Sequence, residues 1–146
     1  MKRLVTLTIA IMALAAVMAT ATQAQTAGSQ TMRARVPFSF HVGSKVLPAG
    51  EYNITVLNPN SDHKVLQIRS RDGATSAIVN TFGTKAKAAA NSKLAFHRYG
   101  ESYFFAAAQV GGEPTALTAM KSSAERSEAA VARRDSKPVV AIVNAF

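Results

Sequence analysis

The chain has 146 residues, with 17 Lys and Arg against 8 Asp and Glu for a formal net charge of +9, and it contains neither Cys nor Trp. At 48% hydrophobic and 17% charged residues it is too apolar for a disordered polymer, and the lack of a uniform heptad excludes a long coiled coil. Without Cys there is no disulfide framework, thiolate metal site, thiol catalysis or lipidated N-terminal Cys.

Residues 1–24 carry the order of a secretory signal peptide: Lys2 and Arg3, an apolar run from Leu4 to Met18, then small residues into Ala21 and Ala24. The uncharged run falls short of the roughly 20 residues a spanning helix needs. Cleavage is expected after Ala24, with Ala21 the second choice, leaving no transmembrane segment after processing. The expected location is outside the cytoplasm, periplasmic or extracellular. The remaining 122 residues hold 15 basic and 8 acidic groups and a net charge of +7. Residues 25–34 lack periodicity and read as a flexible leader, followed by a single β domain over 35–146.

Within that domain Val36, Phe38, Phe40 and Val42 take alternate positions, as on one face of a strand. Leu47-Pro48-Ala49-Gly50 suits a type I turn. Tyr52, Ile54 and Val56 then alternate with polar residues until Asn58-Pro59-Asn60-Ser61-Asp62 ends the run. Lys64 to Arg71 puts Leu66 and Ile68 on one face and Gln67, Arg69 and Arg71 on the other. Asp72-Gly73 predicts a hairpin in which both central residues adopt positive φ. The returning strand spans Ala74 to Phe82, residues 83–92 form a connector, and Lys93–Tyr99 pairs with Tyr103–Val110 across Gly100-Glu101-Ser102. Ser122 with Glu125 makes a capping box for one short helix at about 122–134, and Val139 to Phe146 reads as a last strand. The predicted fold class is therefore all-β, a mainly antiparallel meander of six or seven strands closed into a small barrel or sandwich, with one short C-terminal helix.

The strings VPFSFHVGSKVLPAGEY (Val36 to Tyr52), VLQIRSRDG (Val65 to Gly73), KLAFHRYGESYF (Lys93 to Phe104) and KSSAERSEAA (Lys121 to Ala130) occur in that order. In them the chain resembles a family of small exported proteins of environmental bacteria, acidobacteria especially. The resemblance covers nearly all of the exported part and implies a β domain with a short C-terminal helix. It brings with it no established activity.

The patterns that carry catalysis are missing from the sequence. His41, His63 and His97 have no helical spacing to one another, and alternation places His41 and His97 opposite the apolar face, toward solvent. Glu51, Asp72, Glu101 and Glu113 sit at turns or strand starts, and Gly111-Gly112 is too short for a phosphate loop. The protein is accordingly expected not to be an enzyme, with no catalytic residue, metal site or cofactor.

Charge is more informative. From Gly73 to Gly100 there is no acid, while Lys85, Lys87, Lys93 and Arg98 are basic and Arg69 and Arg71 point outward from the preceding strand. Arg69, Arg71, Lys85, Lys87 and Arg98 are thus the candidate ligand-binding residues, forming a cationic flank for an anionic envelope polymer. Arg98 departs most from the pattern, because it shares a face with Leu94 and Phe96. It must either sit at a rim, paired with Glu101 or Asp72, or cap an interior cavity holding a small amphiphile. That cavity would be lined by Phe38, Phe40, Tyr52, Ile54, Phe82, Leu94 and Phe96. Sequence-specific nucleic-acid recognition is not expected, because the aromatics lie on apolar strand faces. The strand ending in Phe146 resembles those of outer-membrane barrels, but too few strands are predicted for one. The functional expectation is an exported, non-catalytic binding or structural protein of the cell envelope. The alternatives are a lipocalin-like carrier of a small amphipathic ligand and a binder of anionic polymers.

Overall fold

Tyr52, Ile54 and Val56 are buried while the alternate Glu51, Asn53 and Thr55 are half-exposed, so the backbone follows the period-2 pattern. The same alternation recurs around the molecule. The computed structural model describes residues 31–132 and 139–146, in which ten strands and one helix form. They are β1 (Thr31–Val36), β2 (Phe40–Val42), β3 (Lys45–Leu47), β4 (Gly50–Val56), β5 (His63–Ser70), β6 (Ser76–Lys85), β7 (Lys93–Tyr99), β8 (Ser102–Gln109), β9 (Thr115–Ala119), α1 (Ser123–Ala132) and β10 (Val139–Asn144).

Eight of these strands close an antiparallel barrel in the order β1-β4-β5-β6-β9-β8-β7-β10. Closure comes from the chain's two distant ends. Ala34 pairs with Ala145, and Arg33 and Phe146 exchange both backbone hydrogen bonds at 2.8 Å. Such closure removes the sheet edges on which other chains could pair. The short β9 meets only Thr81–Lys85 of β6 and Ala107–Gln109 of β8. The β2–β3 hairpin occupies the rest of that seam: β2 runs parallel to β8 at His41 and Phe104, and Lys45 Nζ donates to the Ser76 carbonyl at 2.7 Å.

Inside, large side chains meet across the axis. Phe40 packs edge-on against Tyr52 and Phe96, with centroids 5.2 Å apart in both pairs, and Phe96 also meets Phe38 at 5.2 Å and Phe105 at 6.0 Å. Phe40, Phe96, Tyr52, Leu47, Ile54 and Leu94 are essentially sealed from solvent. A register shift at Ala95/Phe96 pairs Phe96 with Phe105 and leaves Ala106 unopposed, a bulge that lets Phe105 point inward while Phe104 faces out.

The predicted class holds, and several details change. The signal peptide (1–24), the first part of the leader (25–30) and the expected last two helix residues (133–134) lie outside the described residues. Strand β1 includes Thr31 to Ala34, inside the stretch read as a flexible leader. Met32, Ala34 and Val36 are buried against exposed Thr31, Arg33 and Arg35, a period hidden by the small Ala34. The single strand expected over Val36–Val42 is instead the end of β1 and the separate β2. β9 was not expected, because its only bulky apolar residue is Leu117. Phe82 faces outward and is half-exposed rather than lining the interior. At the β5–β6 turn only Gly73 has positive φ (76°), since the Gly73 N–H bonds to the Ser70 carbonyl in a type I turn followed by a left-handed glycine.

Candidate functional site

Three places gather polar chemistry: the outer wall of β1, β4 and β5, the underside of α1, and the two barrel ends. The wall follows from register. Arg33 lies opposite Asn53 and Asn53 opposite Arg69, while Arg35 lies opposite Glu51. Arg71 continues from β5 and bonds to Glu51 through its backbone N–H at 2.9 Å and through its guanidinium at 2.8 Å. Four arginines, two on β1 and two at the end of β5, therefore flank β4, and Glu51 is the one acid in these rows. The bonded Arg71 guanidinium holds the Glu51 carboxyl below its ordinary value, with the fields of Arg35 and Arg33 acting in the same direction. Arg33, Glu51, Asn53, Arg71 and Phe146 border an open hollow of about 260 Å³.

Beneath α1 the chemistry is different. Glu125 is the helix's buried residue. Its Oε1 accepts from the Tyr99 hydroxyl at 3.2 Å and lies 2.6 Å from His97 Nδ1, and Lys121 Nζ donates to the Tyr99 hydroxyl at 3.0 Å. Ser122 Oγ accepts from the Glu125 backbone N–H at 3.1 Å, which is half of the expected capping box. The returning half is not made, because the carboxylate turns to the barrel instead. Next to this cluster His41 stacks on Phe104 at 4.5 Å, and the buried Phe104 separates it from His97 on the neighbouring strand. The expectation that His41 and His97 simply face solvent is thus corrected: both lie outside the barrel, and both are packed. His63 is exposed at the start of β5. No group of three or more His, Asp or Glu residues suited to a metal ion occurs among the described residues.

At one end of the barrel Pro48, Tyr52, Ser70, Asp72, Ala74 and Thr75 border a hollow of about 500 Å³. Burial pushes the Tyr52 phenol up, and its hydroxyl donates to the Pro48 carbonyl. Asp72 is held low, first by the Ser70 hydroxyl at 2.5 Å and then by the Ala74 N–H at 2.9 Å. At the other end Val56, Ala108 and Leu117 floor a hollow of about 360 Å³, with Lys64 and Glu113 at its border.

The five residues singled out from sequence do not form one flank. Arg69 and Arg71 belong to the arginine wall. Lys85 lies nine residues along β6 from Ser76, the partner of Arg69, which is roughly 30 Å at strand rise. Lys85 and Lys87 are exposed at that far end. Arg98 sits at the rim, its Nε donating to the Gly100 carbonyl at 2.7 Å, its guanidinium 3.2 Å from Glu101 and stacked over Tyr103 at 5.5 Å. It is the paired rim residue of the two expected arrangements. Arg33 and Arg35 were missed because they fell in or beside the stretch read as leader, where the small Ala34 masks their alternation with Met32 and Val36.

No protein-family model, curated protein or solved structure matches this chain.

Proposed function

We propose that the protein is an exported, non-catalytic binding component of the cell envelope that engages anionic partners through the outer wall of its barrel. The observation carrying this reading is the arrangement of Arg33 and Arg35 on β1 and of Arg69 and Arg71 on β5 and just past its end, on either side of β4, with the single carboxylate Glu51 among them. Arginine presents a planar donor fork suited to sulfate, phosphate and carboxylate groups, and clustered cations gain affinity by releasing the counterions of a polyanion. The packed aromatic interior supports a role for the outside of the barrel. A non-catalytic role fits the use of Glu125, whose carboxylate is occupied in fastening α1.

Retention on a heparin or lipopolysaccharide matrix tests this reading. The wild type should elute only at raised salt, and Arg33→Ala/Arg35→Ala should lower the elution point more than Lys85→Ala/Lys87→Ala, because the lysines lie at the far end. Equal elution of the wild type and the arginine variant would overturn the assignment of the wall.

A second reading, a lipocalin-like carrier, is favoured by one observation. The hollow at the barrel mouth has an apolar floor of Val56, Ala108 and Leu117 and an ammonium, Lys64, beside it. Native mass spectrometry would support it by showing a small amphiphile that is lost on Leu117→Trp.

A further inference from the structure

Strand β10 breaks the rule of polar outward faces seen on β1 and β4. Ala141, Val143 and Ala145 turn inward onto the core, and Val140, Ile142, Asn144 and Phe146 turn out, the three apolar ones 55%, 59% and 78% exposed. Register places cations on both sides of this stripe. Lys93 on β7 lies opposite Asn144, and Arg33 on β1 lies opposite Phe146, with Arg35 two residues further on the same face. Neighbouring strands are about 4.8 Å apart, so Arg33 stands one strand spacing from Phe146 and Lys93 one from Asn144, beside the Phe146 end of the ridge. Glu51, on the strand beyond β1, is bound to Arg71.

An aliphatic and aromatic ridge edged by guanidinium and ammonium groups is complementary to one kind of surface: anionic head groups above acyl chains. The guanidinium fork pairs with phosphate, and the apolar side chains enter the boundary between head groups and acyl chains. A polysaccharide would satisfy the arginines and leave the ridge in water. We propose that the β10–β1 face docks the protein on a phosphate-bearing lipid leaflet, with Ile142 and Phe146 inserted and Arg33 and Arg35 on the phosphates. The inference rests on the reading of the arginine wall as the contact surface and names its partner. Docking is peripheral: the outward residues of β1 and β4 are charged or polar and the interior is apolar, the reverse of a barrel that spans a membrane.

Co-sedimentation tests the proposal, using the protein in the form the producing cell accumulates. The vesicles are equimolar phosphatidylglycerol and phosphatidylcholine, compared with phosphatidylcholine alone. The wild type should bind the anionic vesicles and not the neutral ones. Ile142→Ser and Phe146→Ser should each weaken partitioning about tenfold. Arg33→Ala and Arg35→Ala should each weaken it about fivefold. All four sites are exposed, so thermal melts of the variants serve as a check on folding. If only the arginine variants weaken binding, contact is electrostatic and the insertion of β10 is wrong. If vesicles are ignored but an anionic matrix still retains the protein, the lipid proposal fails and the wall reading survives. If neither holds the protein, both fail. If Ile142→Asp converts a dimer to a monomer in size-exclusion chromatography, the ridge is a self-contact and the lipid proposal is overturned.

Discussion

Glu51 and Asp72 are both held low, and for different reasons: Arg71 acts on the first and the Ser70 hydroxyl on the second. A carboxyl depressed in the folded state contributes stability that is complete above its unfolded value and is lost as pH falls through the depressed one. Arg71→Ala should therefore move the Glu51 titration up toward its ordinary 4.5 and leave that of Asp72 in place. Carboxyl-carbon NMR titration reads both groups in one experiment. A Glu51 that does not move would mean that Arg71 is not the cause. At this scale the sequence was partly legible. The outward position of Arg69 and Arg71 followed from alternation with Leu66 and Ile68, but the pairing of Arg71 with Glu51 did not. It depends on a contact between residues 20 positions apart.

At the scale of elements, α1 is the least secured by apolar packing. Val131 is exposed, as is Met120 just before the helix, and the one buried helix residue is a carboxylate. The helix is held by Glu125 on Tyr99 and His97, on the outer face of β7. Glu125→Ala would leave the Tyr99 hydroxyl and the His97 ring without their acceptor. This costs about 1–3 kcal/mol, or roughly five- to hundredfold in local opening. Hydrogen exchange should show α1 amides accelerated by that factor while those of β7 and β8 stay slow. Unchanged α1 protection would show that the helix is held by something else. Capping chemistry made this helix readable from Ser122 and Glu125. Its docking was not, because a glutamate three residues after a serine looks the same whether it returns to the cap or reaches a barrel wall. β9 and the first half of β1 escaped notice for a simpler reason: alanine and threonine carry little hydrophobic contrast at period 2.

For the whole molecule, the decisive features are closure and the distribution of charge, and neither is local. The alternating strands announced an antiparallel sheet, and the hairpins at Asp72-Gly73 and Gly100-Glu101 fixed neighbours in sequence. The seam between β1 and β10 joins residues more than a hundred positions apart, which no periodicity reveals. Closure is also what creates the β10–β1 face, while the length of β6 is what sets Lys85 apart from the arginines. On the proposed reading the packed interior is structural and the outer wall carries the binding. Backbone amide shift mapping with an anionic oligosaccharide tests it most directly. Perturbations should cluster on β1, β4 and β5 around Arg33, Arg35, Asn53 and Arg69, with inward-facing residues such as Ile54 and Leu94 unmoved. Shifts confined to the barrel mouth at Val56, Ala108 and Leu117, or no shifts on β1, would contradict it.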